Sequence, residues 1–143
     1  MDVDVSVFLS QAFLIERVIA ARRQQIADLR DKLDWAGGST AAQKRGASRR
    51  DRISWLVARI ADKIAECEHD IARLIDAQDG IKRMIDGLAD ETQKLILTER
   101  YINLKDWQAV ADANGYSIRT VYRIRKEAVA ALQILALNGS NGA

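Results

Sequence analysis

The sequence predicts an all-α protein: a long N-terminal helical hairpin or coiled-coil stem followed by a small C-terminal helix-turn-helix domain. Three observations carry that reading. The 143 residues contain no proline, whereas average usage of ~5% leads to about seven. Aromatic residues supply only 6% of the chain although hydrophobic residues make up 48%, a mixture typical of long helices. Two long stretches repeat their apolar residues at alternating spacings of four and three, which places them on one helical seam.

The same features exclude other classes. A β-sandwich or barrel needs turn residues every ~8–12 positions. One cysteine cannot form a disulfide within the chain and fits a reducing compartment. No apolar run approaches the ~20 residues of a membrane span, and the start MDVDVSVF is acidic rather than the basic beginning of a signal peptide. These points lead to the expectation of a soluble, intracellular protein without a membrane partner.

The first periodic stretch runs over about 7–35, with Phe8, Ala12, Ile15, Ile19, Ile26, Leu29 and Leu33 in series. Arg22 breaks the series, and Ser6 is the expected N-cap. Residues 36–50 read AGGSTAAQKRGASRR. Their glycines and small polar residues predict a flexible connection. Its Lys44, Arg45, Arg49 and Arg50 keep a solvated loop soluble, and they are also candidate phosphate contacts.

The second stretch begins at Asp51, the expected cap. Ile53, Val57, Ile60, Ile64, Cys67, Ile71, Leu74, Gln78, Ile81, Ile85 and Leu88 step by four and three throughout, a heptad seam. Gly80 and Gly87 mark where the helix bends or stops. If it ends near Asp79, the two stretches match in length and form an antiparallel hairpin. Two such seams also favour pairing between chains, so Ile53, Val57, Ile60, Ile64, Ile71 and Leu74 form the expected oligomerisation seam. Gln78 and Arg22 are candidates for setting register. Residues 1–88 are thus assigned to an oligomerisation stem, which makes the protein a homo-oligomer, a dimer or higher.

After Leu88 the periodicity changes. Residues 89–102 predict a short helix capped by Asp90. The next helix runs from its cap Asp106 to Ala113, with Val110 and small Ala111 facing inward. Gly115 supplies the positive φ that ends it, and Ser117 caps a further helix whose buried stripe is Val121, Ile124 and Ala128. Trp107 is expected to seal the core, and Tyr101 and Tyr116 are read as structural. The domain covers 89–137, and 138–143 is a disordered tail.

Charge distribution points to the function. The net charge is only +2, too small to announce a nucleic-acid partner by itself. Yet 51–90 is acidic, whereas 117–126 reads SIRTVYRIRK, with four basic residues and no acid. The outer face of that helix shows Arg119, Tyr122, Arg123 and Lys126, which suits the major groove. Arg reads guanine edges or binds phosphate, and Thr and Tyr hydroxyls contact either. The expected double-stranded DNA contacts are Ser117, Arg119, Thr120, Tyr122, Arg123 and Lys126, with Lys105 as a phosphate contact.

The segment WQAVADANGYSIRTVYRIRKEAVAAL resembles the fourth region of bacterial sigma factors, and ETQKLILTERYI resembles the helix before it. The sharper resemblance is to the ArpU/RinA-type phage transcriptional regulators. It rests on Arg100, Tyr101, Ile102, Trp107, Val110, Ala111, Tyr116, Ser117, Thr120, Val121, Tyr122 and Arg123, and covers about 64–135. Val110 stands where Ile is usual, and Ile118 where a polar residue is common. The resemblance implies a regulator of phage or prophage late genes acting on DNA in the cytoplasm of a bacterial host cell, with RNA polymerase as a further partner. No segment resembles the sigma-factor region that melts promoter DNA.

Catalytic, metal and cofactor sites are not expected. His69 and Cys67 lie two apart, which on a helix points them in different directions, and neither has a second His or Cys for company. Gly37-Gly38 lacks the Lys-Ser/Thr of a phosphate loop. Two alternatives to a regulator remain: a phage small terminase subunit that recognises packaging-site DNA, and a coiled-coil adaptor that binds RNA polymerase.

Overall fold

A computed structural model describes residues 4–38 and 47–141. Among the described residues five helices follow one another: α1 (Val5–Gly38), α2 (Ala47–Asp86), α3 (Glu91–Tyr101), α4 (Trp107–Asn114) and α5 (Ile118–Asn141). Among the described residues there is no strand, so the chain is all-α with two long helices first and smaller ones after.

Several ends differ from the sequence expectation, and capping explains the first. α1 starts at Val5 because Asp4, not Ser6, caps it: the Asp4 carboxylate accepts from the Ser6 N–H at 3.0 Å, and its carbonyl accepts from Phe8 at 3.1 Å. The Ser6 hydroxyl instead accepts from Arg125 at 3.2 Å. α1 runs through to Gly38 and α2 begins at Ala47, so the expected connection 36–50 is helical at both ends and Asp51 lies within a helix rather than at its cap. Gly80 does not interrupt α2, which has 40 residues, 11 more than the expected 51–79. The chain turns at Gly87, whose N–H donates to Met84 at 3.2 Å. The expected disordered tail is helical as far as Asn141.

The chain forms two compact units, and the division falls inside both long helices rather than at residue 88. The first unit comprises residues up to Glu16 and those from Asp76 onward. Its larger core joins Val5, Leu9 and Ala12 of α1 to Ile81 and Ile85 of α2, Leu97 and Tyr101 of α3, and Ala128 and Leu132 of α5. The smaller core joins Ile96, Val110, Ala111, Val121 and Ile124. Trp107 packs against both. The seam of α2 therefore keeps its register to Ile85, with Leu88 buried just past the helix, and it serves the small helices at its end. Gln78 is half-buried there and donates to Glu16 at 2.7 Å, so each seam-edge polar group satisfies the other.

The second unit, Arg17–Ile75, is an antiparallel pair made from the rest of α1 and α2. Ile19, Ile26, Ile60 and Cys67 are buried within this single chain. Ile53, Val57, Ile64, Ile71 and Leu74 are half-buried. Arg22 sits 3.7 Å from Asp70, and Arg30 3.4 Å from Glu68. The Arg22–Asp70 pair is half-buried, whereas the Arg30–Glu68 pair is exposed and adds little stability. The first helix thus packs on its own chain, and Ile60 of the expected oligomerisation seam is covered without a second copy.

Candidate nucleic-acid interface

α4, the following turn and the start of α5 form a helix-turn-helix that is capped at both ends of α4 and at the start of α5. Asp106 caps α4, accepting from the Ala109 N–H at 2.8 Å. At the other end Gly115 takes the left-handed conformation, φ 67° and ψ 27°. The Tyr116 N–H reaches back to the Ala111 carbonyl at 3.0 Å and the Gly115 N–H to Asp112 at 3.4 Å, the paired bonds that close a helix after a left-handed residue. Ser117 then caps α5, accepting from the Thr120 N–H at 3.2 Å. Ala111, fully buried, has no side chain beyond Cβ, so α5 crosses closely there.

The turn is clamped from behind by Glu99, which is 8% exposed. One carboxylate oxygen accepts from Asn114 Nδ2 at 3.2 Å, the other from Lys105 Nζ at 3.3 Å. Asn114 also donates to the Val110 carbonyl at 2.8 Å. Leu104, before α4, has a φ of 58°, a conformation that costs a non-glycine residue ~1 kcal/mol. The surrounding bonds hold it, since the Lys105 N–H donates to the Glu99 carbonyl at 3.1 Å and Arg100 donates to the Lys105 carbonyl at 3.0 Å.

The structure brings Arg119, Tyr122, Arg123 and Lys126 onto the exposed face of α5, opposite the buried Val121, Ile124 and Ala128. Arg123 pairs with Glu127 at 3.3 Å, both well exposed, so the pair is weak. Ser117 and Thr120 are also at the start of this helix, but their hydroxyls bond each other at 3.0 Å as part of the cap. Tyr122 is 47% exposed and meets Trp107 edge-on at 5.7 Å. Tyr101 is buried, whereas Tyr116, read from sequence as structural, is 39% exposed.

The remaining expected contacts are elsewhere. Lys105 is engaged by Glu99, its side chain still 43% exposed. Arg49 and Arg50 lie in the first turn of α2, in the other unit. Lys44 and Arg45 lie outside the described residues. His69 is exposed and Cys67 is a buried free thiol. Among the described residues no group of three His, Cys, Asp or Glu side chains could hold a metal, and no helix is long and apolar enough to cross a membrane.

Sequence reasoning missed two groups. Glu99 lies three residues after buried Ile96 and so shares its inward face. That spacing was the available signal. Arg125 falls beside the stripe of Val121 and Ile124 rather than on the outer face. Its guanidinium donates to the Tyr101 hydroxyl at 3.2 Å, and nothing local in the sequence announces that partner.

Residues 37–133, more than half of the chain, match the model of a family described as a protein of unknown function (DUF1492). No curated protein and no solved structure matches the chain.

Proposed function

The chain belongs to the family of proteins of unknown function DUF1492, and we propose from its own residues that it is a sequence-specific DNA-binding transcriptional regulator and not an enzyme. One observation carries this reading. The helix-turn-helix is capped at both ends of α4 and at the start of α5, and turns Arg119, Tyr122, Arg123 and Lys126 outward on one helix. A basic, rigidly supported helix suits the major groove, with Arg as the residue that reads guanine. Arg119 and Lys126 form no ion pair among the described residues, so neither must give up a partner to meet DNA.

The likeness to ArpU/RinA-type regulators and to the fourth sigma region supports a role in phage or prophage transcription, with RNA polymerase as a further contact. Self-association is part of the proposal. Trp35 and Trp55 are 80% and 65% exposed, large apolar side chains that association would remove from water. Selection of bound duplexes from random DNA, at stated salt, tests the function. A recovered consensus with affinity that falls steeply as salt rises is expected. Recovery of unrelated sequences with equal affinity would defeat sequence-specific reading.

A further inference from the structure

Behind Tyr122, between the start of α1 and the helix-turn-helix, lies a cleft of about 260 Å³ formed within one compact unit. Phe13, Arg100, Tyr101, Trp107, Tyr122 and Arg125 line it. The Arg100 guanidinium lies 4.4 Å from the centre of the Phe13 ring and 4.8 Å from that of Trp107. Arg125 lies 5.8 Å from the centre of the same Trp107 ring. Rings against a guanidinium face attract it electrostatically and leave its in-plane N–H groups free to donate.

The two charges are not neutralised. Arg100 gives one hydrogen bond to the Lys105 carbonyl, and its Nε is sealed from solvent with no partner. Arg125 donates to the Tyr101 and Ser6 hydroxyls. All three acceptors are uncharged, and no carboxylate pairs with either guanidinium among the described residues. Two half-buried cations thus share one cleft, where an entering anion would meet both.

We propose that this cleft binds one phosphate group, that of the DNA backbone flanking the bases read by α5. The guanidinium fork matches phosphate geometry. Position selects the backbone as its source. Tyr122 lines the cleft and stands one helical turn from Arg119 and Lys126, so it joins the cleft to the reading face. Phosphate contacts of this kind set the register of a recognition helix without carrying sequence information. The inference rests on the DNA-binding reading above and names a contact that reading did not include.

The test compares the full-length protein with Arg125→Gln and Arg125→Lys on a duplex recovered by selection. In Arg125→Gln the slope of log binding constant against log salt becomes shallower by about 0.9, the value of one phosphate contact, with base preference unchanged. Arg125→Lys retains the slope. A neutral methylphosphonate at one backbone position weakens the wild type and leaves Arg125→Gln unaffected. Equal slopes and equal methylphosphonate sensitivity in both proteins overturn the cleft assignment while the DNA-binding reading stands. If Arg125→Gln loses its helical circular dichroism, the wild-type guanidinium Nε resonances decide, because failure of Arg100 and Arg125 to shift on adding duplex also overturns it. A wild type that binds no duplex at low salt defeats the functional reading itself. Inorganic phosphate at constant ionic strength then reads the cleft directly. A melting temperature raised by phosphate in the wild type but not in Arg125→Gln replaces the backbone with a free phosphate compound.

Discussion

Glu99 and Asn114 are 15 residues apart and joined by a 3.2 Å hydrogen bond between a buried carboxylate and the last residue of α4. The same carboxylate holds Lys105 just before α4 at 3.3 Å. One side chain thus ties the residue that ends α4 to one just before its start. Glu99→Ala removes both partners and leaves the Asn114 amide half-buried with one acceptor fewer. A loss of about 2 kcal/mol is expected, read as a lower urea midpoint. Glu99→Gln keeps an acceptor for Asn114 and should lose less. Equal stability of wild type and Glu99→Ala would remove the clamp from the account.

Two glycines should respond with opposite sign to the same change. Gly115 has a φ of 67° and open space around a new Cβ. Gly115→Ala should therefore cost about 1 kcal/mol through backbone strain alone. Gly80 lies within α2, also with nothing within 4 Å, and Gly80→Ala should add up to about 1 kcal/mol. Thermal unfolding of the two variants checks the pair, and a stabilising Gly115→Ala would contradict the left-handed turn.

On the reading face, Arg119→Ala with Arg123→Ala should abolish discrimination between operator and random duplex while helix content stays unchanged. Both side chains are exposed, and among the described residues Arg123 bonds Glu127 at 3.3 Å on the same outer face, so their loss leaves the core intact. Unchanged operator preference in the double variant would move the reading surface elsewhere.

Trp35→Ala with Trp55→Ala should shift the protein toward monomer in light scattering. The two indoles are exposed in one copy, and covering such surface favours association. Stability at low concentration should change little, since neither ring is part of a buried cluster. Unaltered mass at matched concentration would place assembly on another surface.

What the sequence determined by itself was local. Asp90, Asp106 and Ser117 cap helices as their position predicts, with each carboxylate or hydroxyl oxygen accepting from an N–H three residues on. Gly115 ends α4, and the four-three spacing marks the inward face of α2. Those interactions close within one or two helical turns, so their signal is contained in a short window. Tertiary structure decided what lay beyond that window. Asp4 rather than Ser6 begins α1, and the Val5 N–H meets the side chain of Gln133 across 128 positions. Ser6 is free to meet Arg125 across 119. Val5 and Leu9 are buried because α5 and the end of α2 reach them, which no periodicity of α1 alone reveals. The Arg100–Arg125 cleft and the Glu99 clamp share this origin. Their partners converge only once the apolar faces of α1, α2, α3 and α5 have been removed from water together, and a pattern read along one helix carries no record of which other helix will cover it.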